Sequence, residues 1–182
     1  MALIVEDGSG KADSESYISV ADADLYFSNR ANAAWAALAT PDKEASLRKA
    51  TDYMGQVYRS QWKGTRVTGT QALDWPRGFV ERDDYEYQGL NGSVQIGGYF
   101  YFPSDEVPVE VARACAELAL KASAADLSPD IGRRTIREKV DSIEVEYSPY
   151  GAQYVTYRAI DNLLSPFIGM GGSGAFRKVI RT

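Results

Sequence analysis

A chain of 182 residues that is 45% apolar, 25% charged and 12% aromatic is long enough for one domain with a real core and too apolar for wholesale disorder. Its net charge of −5 disfavours sequence-independent nucleic-acid binding, which relies on Lys and Arg to neutralise phosphates. The absence of histidine removes the commonest general base and metal ligand, and a single cysteine leaves no ordinary zinc set. Gly169, Gly171, Gly172 and Gly174 are not followed by the Lys-Ser/Thr of a phosphate loop. A non-enzymatic protein without metal or cofactor is therefore expected, with carboxylate-only or magnesium chemistry the alternative that composition leaves open. Met1–Gly8 lacks the basic start of a signal peptide, and no run reaches the roughly 20 apolar residues of a membrane span.

Leu3-Ile4-Val5 reads as a short strand ending at Asp7-Gly8. Ser19 then predicts the cap of a helix over about 20–30, with Asp22 as its partner and Ala21, Leu25 and Ser28 on one face. Asn29 and Asn32 predict a break. A second helix opens with Thr40 as cap, Pro41 at the first position and acids in the first turn, and it buries Leu47, Ala50, Thr51, Met54, Val57 and Tyr58.

A loop rich in turn residues carries Trp62, Asp74, Trp75, Pro76 and Arg77. One reading makes Trp75 a plug in the core and pairs Arg77 with a carboxylate. The other stacks Trp62 and Trp75 on exposed bases, with Lys63, Arg66 and Arg77 as cations. Residues 79–106 form a Tyr-rich excursion in which Asn91-Gly92 signals a hairpin turn. Its Tyr85, Tyr87, Tyr99 and Tyr101 are candidates for contact with a neighbouring subunit or a tail protein.

A third helix begins at Val107-Pro108 and carries a stripe of Val109, Ala112, Cys115, Ala116, Ala119 and Ala122, with Cys115 read as a packed core thiol. Ile136–Val140 and Ile143–Tyr147 alternate as strands about a turn at Asp141-Ser142, with Arg137 and Lys139 set to pair with Glu144 and Glu146. A last helix over 154–164 buries Tyr157, Ile160, Leu163 and Leu164 and stops by Ser165-Pro166. The fold class expected is mainly α with a small β element, a helical bundle with a β-hairpin and a flexible C-terminal tail. It divides into a body, 1–168, and a Gly-rich linker and tail, 169–182. Phe176, Arg177, Lys178, Val179, Ile180 and Arg181 read either as a disordered end or as a tethered docking peptide.

Several of these segments resemble one family. They are Leu3–Gly8, Ser14–Val20, Lys49–Tyr53 with Trp62-Lys63-Gly64, Gln71-Ala72-Leu73-Asp74-Trp75-Pro76-Arg77, Val107-Pro108, and Glu138–Val140 leading to Ile143–Tyr147. Together they are similar to the head-to-tail adaptor (connector) proteins of tailed bacteriophages, a group also labelled DnaT-like single-stranded-DNA-binding proteins. The resemblance implies a virion protein, assembled in the host cytoplasm as a ring of roughly twelve copies under the portal protein. The ring would continue the DNA channel, pass genomic DNA without specific binding, and offer a platform for tail or nozzle proteins, with no membrane partner. Related connectors dock a C-terminal segment on the portal. That role is carried to Phe176–Arg181 by position and chemistry, not by a matching motif. Single-stranded-DNA binding is the alternative function.

Overall fold

The computed structural model describes residues 2–82, 101–130, 137–140, 143–146 and 155–169. Among them the chain is mainly helical with small antiparallel β elements, as its sequence predicts. Leu3–Val5 is the first departure. It contributes only a single parallel bridge, Val5 to Ser16, in place of a strand. The buried Glu6 carboxylate takes over local organisation, accepting hydrogen bonds from the backbone N–H of Gly8, Gly10 and Lys11 and from Ser14 Oγ at 2.9–3.0 Å.

Helix α1, Val20–Ser28, starts where Ser19 caps it: Ser19 Oγ accepts from Asp22 N at 3.0 Å and donates to the Asp22 carboxylate at 2.6 Å. The buried face is Ala23 and Phe27, so the expected face of Ala21, Leu25 and Ser28 is corrected; Leu25 is 60% exposed. The expected break at Asn29–Asn32 leads into a further short helix, α2, Ala33–Ala36. Asn32 caps it, and Trp35 is driven into the core against Phe27, with ring centres 4.9 Å apart. Its indole N–H donates to Asp24 at 2.7 Å, and Lys43 Nζ reaches the same carboxylate at 2.9 Å.

Helix α3, Thr40–Tyr58, is the longest, with Pro41 in its first turn. Thr40 is its first residue and Ala39 stands at the cap position without a side-chain bond, which corrects the cap assignment by one residue. The buried face contains Leu47, Ala50, Thr51, Met54 and Tyr58 as expected, with Val57 half-buried against the core. Helix α4, Val109–Ala122, packs on it through Val111, Ala114, Cys115, Ala116, Leu118, Ala119 and Ala122. Small side chains let the two backbones approach closely. Cys115 Sγ sits 3.4 Å from Thr51 Oγ1, and burial pushes its thiol pKa up, as suits an inert core group. Val109 is the exception in the expected stripe: it faces outward at the helix start.

Helix α5, Arg158–Leu164, is shorter than the expected 154–164 and closes the bundle against α4 with Ile160 and Leu164, while Tyr157 and Leu163 are half-buried. A 3-10 turn, Ser165–Phe167, follows it and drops Phe167 into the core. Strands β1 (Thr65–Arg66) and β2 (Arg77–Gly78) pair antiparallel and close the Trp75 loop. Strands β3 (Arg137–Val140) and β4 (Ile143–Glu146) pair with Arg137 opposite Glu146 and Lys139 opposite Glu144, the register that their alternating charges anticipate. No helix among the described residues is long and apolar enough to cross a membrane.

Candidate functional site

The Gln71–Arg77 run folds as one interlocked unit at the end of α3. Gln71, itself buried, accepts from Thr68 N at 2.9 Å and donates through Nε2 to the carbonyls of Leu73 and Pro76. Asp74 N donates to the Tyr17 hydroxyl at 3.0 Å, which ties the loop to the segment leading into α1. Burial, reinforced by the neighbouring Asp74, holds the Tyr17 phenol above its ordinary pKa. The Asp74 carboxylate is buried and accepts from Arg59 Nε at 3.1 Å and Arg66 Nη2 at 3.0 Å.

Among the described residues Arg77 does not pair with a carboxylate, as the sequence suggests it should. Its guanidinium is buried and forks onto three main-chain carbonyls: Lys63 O at 2.8 Å, Gly64 O at 2.7 Å and Asp74 O at 3.2 Å. Arg59 and Arg66 already occupy the nearest acid. An always-charged fork surrounded by carbonyl oxygens makes a rigid staple between the two sides of the loop. Burial lowers the Arg77 pKa from its ordinary value.

Trp75 is fully enclosed and follows the core reading. A cis peptide bond joins it to Pro76. Its ring stands edge-on to Trp62 at 5.7 Å and to Phe167 at 5.4 Å. Trp62 is buried too, so neither indole presents a face to a base and the stacking role for this pair is corrected. Both indole N–H groups are buried without a hydrogen-bond acceptor among the described residues.

What the unit positions lies at its exit. Gly78 pairs with Thr65, Val80 is fully buried, and its carbonyl accepts from Phe102 N at 2.9 Å. Between these fixed points Phe79 takes φ +59° and carries its ring outward, 73% exposed, with Tyr101 edge-on at 5.9 Å. A bulky residue in the left-handed region costs about 1–2 kcal/mol, and nothing about the core requires a phenyl ring there. Periodicity and propensity carry no signal for such a residue; only the backbone angle singles it out. Of the four tyrosines expected at an interface, Tyr101 is half-exposed here, while Tyr85, Tyr87 and Tyr99 lie outside the described residues, as do Phe176–Arg181. A second outward apolar site flanks α1 and the start of α4. Leu25, Tyr26, Val109 and Ala112 line a groove of about 570 Å³ rimmed by Asp22 and Arg113. Among the described residues no three Cys, Asp or Glu side chains gather to hold a metal ion.

The model of the family described as "Putative DnaT-like ssDNA binding protein" matches residues 1–182. The chain belongs to this family. No curated protein and no solved structure matches the chain. In this DnaT-like chain Trp62 and Trp75 offer no stacking platform for the binding that the family's description names, and the described aromatic ring most open to solvent is Phe79.

Proposed function

We infer that this protein is a structural subunit of a larger assembly, and that the assembly is the head-to-tail junction of a tailed bacteriophage. In this reading copies form a ring beneath the portal protein, genomic DNA passes through without being gripped, and tail proteins attach on the far side. One observation carries the reading: Trp62 and Trp75 are committed to the core while Leu25, Phe79 and Val109 are held outward. A subunit that covers these side chains gains by it, at about 1.5–3 kcal/mol for each one fully buried. The acidic balance suits a channel wall, because a surface that DNA slides past should not bind phosphate. The sequence resemblance to connector proteins supports this choice of assembly.

The family's description favours a second reading, single-stranded-DNA binding. Stacking would then fall to aromatic side chains outside the core, Phe79 first among them.

Sedimentation of the purified protein with its cognate portal, alongside anisotropy of a labelled oligonucleotide between about 50 and 200 mM salt, separates the two. A ring-sized complex with portal and no oligonucleotide retention is the expected result. Retention at low salt that collapses as salt rises, with no portal association, would replace the adaptor reading by DNA binding. Deleting residues 175–182 is expected to abolish portal association while leaving the thermal midpoint of the body unchanged.

A further inference from the structure

We propose that the groove between α1 and α4 is a self-complementary surface on which two copies of this chain pair, antiparallel, about a two-fold axis. This goes beyond the adaptor reading, because it concerns the free protein rather than its place at a junction. The α1 wall carries Asp22, Leu25, Tyr26 and Asn29, whose spacing of i, i+3, i+4 and i+7 puts them on one stripe of the helix. The α4 wall carries Val109, Ala112 and Arg113 at i, i+3 and i+4. Both stripes stand apart from the faces that hold the bundle together. Leu25 is 60% exposed and Val109 51%, and they flank the same groove. Two large apolar side chains so placed gain from being covered.

Charge decides what covers them. Asp22 stands in the first turn of α1. The Val5–Glu6 segment lies beside that start, with Glu6 N donating to Ser16 O at 2.9 Å. Two residues on, Gly8 packs so tightly that a Cβ there would meet the Asp105 carbonyl oxygen and lie 2.8 Å from Glu106 Cα. Glu106, exposed, therefore shares this end of the groove with Asp22. Asp7 is here too, but Lys11 already pairs with it at 2.9 Å.

The other end is positive. Arg30 lies over the Tyr26 ring at 3.6 Å from its centre. Burial raises the Tyr26 phenol pKa and both Arg30 and Arg113 oppose it, which places Arg113 at this end as well. Neither arginine is in an ion pair among the described residues. At helical rise the eight steps from Asp22 to Arg30 span about 12 Å.

A groove negative at one end and positive at the other repels a parallel copy of itself and attracts an antiparallel one. Turned by a half-rotation about an axis crossing the groove near Leu25 and Tyr26, the second copy brings its Arg30 to Asp22 and its Asp22 to Arg30. The two Leu25 side chains then meet at the axis. Such an isologous contact makes each pair twice and closes at two copies. No other partner has to supply the polarity, because the chain itself carries it.

The test is sedimentation equilibrium of the full chain from about 1 to 200 µM, for wild type, Asp22→Arg, Arg30→Asp and Leu25→Glu. Asp22→Arg leaves only positive charge at the pair and Arg30→Asp only negative, so each variant alone sets like charges face to face. Wild type is expected to dimerise, and each reversal to weaken the dimer at least about tenfold. An equimolar mixture of the two should form a heterodimer, since each restores the other's pairs. Leu25→Glu changes a side chain outside the core, so it should be monomeric with an unchanged thermal midpoint, whatever Asp22→Arg does to the start of α1. A wild-type chain that stays monomeric throughout would overturn the proposal. So would a dimer indifferent to all three substitutions, folded reversal variants that fail to pair when mixed, or association that continues past two copies. Portal association, measured separately, decides the adaptor reading and does not bear on this one.

Discussion

Replacing Trp75 with alanine removes an indole enclosed between Trp62 and Phe167, with no exposed surface. An enclosed Trp withdraws roughly 200 Å² of mostly apolar surface from water, worth about 5 kcal/mol. The two edge-on ring contacts add about 1 kcal/mol each. Against this stands the buried N–H, which has no acceptor among the described residues and costs about 1–3 kcal/mol in lost hydration. The fold also keeps part of what is lost by relaxing around the gap. The net expectation is a destabilisation of about 3–5 kcal/mol, in the range of other large aromatic truncations. Trp75→Phe keeps most of the ring surface and discards the stranded donor, so its cost should be no more than about 1 kcal/mol. Urea unfolding followed by far-ultraviolet circular dichroism, with m-values compared, measures both. If Trp75→Phe cost as much as Trp75→Ala, the N–H would be serving an acceptor and the reasoning would fail. A cost below about 1 kcal/mol for alanine would show instead that the ring is not enclosed.

Arg77→Lys replaces a fork on three carbonyls by a single ammonium, and a loss of about 1–3 kcal/mol in urea unfolding is expected even though the charge is kept. Ser19→Ala removes the α1 cap and its bond to Asp22 and should cost about 1 kcal/mol, read as a lower urea midpoint. Stability should also fall at alkaline pH. The buried Tyr17 and Tyr58 phenols are both held above their ordinary value of 10.0 by burial, Tyr58 also by its 2.6 Å bond to Asp161. The unfolded chain loses these protons first, so unfolding is favoured as pH rises past about 10, by about 1.4 kcal/mol per pH unit for each phenol that stays protonated. Tyr58→Phe should make that slope shallower in urea titrations between about pH 10 and 11, and an unchanged slope would count against it.

Helices α3 and α4 are legible in sequence because their apolar positions recur at helical spacing over long stretches: Leu47, Ala50, Met54 and Tyr58 in one, Cys115, Ala119 and Ala122 in the other. The capping pair at Ser19 is local chemistry, and it too is readable. The face of α1 is not, because Val20, Ala21, Ala23, Leu25, Tyr26 and Phe27 surround the helix, and only the position of Trp35 decides that Phe27 turns inward. With four residues, α2 is shorter than any periodic window. Lys43 is buried in α3 with its ammonium 5.8 Å from the centre of the Trp35 ring and 2.9 Å from Asp24, a partnership set by tertiary packing alone. The Trp-Pro-Arg run stands out in the sequence, yet its partners do not, since Arg59 and Arg66 take the acid that Arg77 would otherwise claim. Phe79 looks like any apolar residue after a glycine until its backbone angle is known.

The pairing of Glu81 with Tyr101, backed by the Phe102 N–H to Val80 carbonyl bond, fixes the two ends of residues 83–100 side by side on the body. Between two points fixed in this way, doubling the length of intervening chain costs only about 0.6 kcal/mol in closure entropy. The root therefore predicts that a stretch of different length set between Glu81 and Tyr101 leaves the thermal midpoint of the body unchanged.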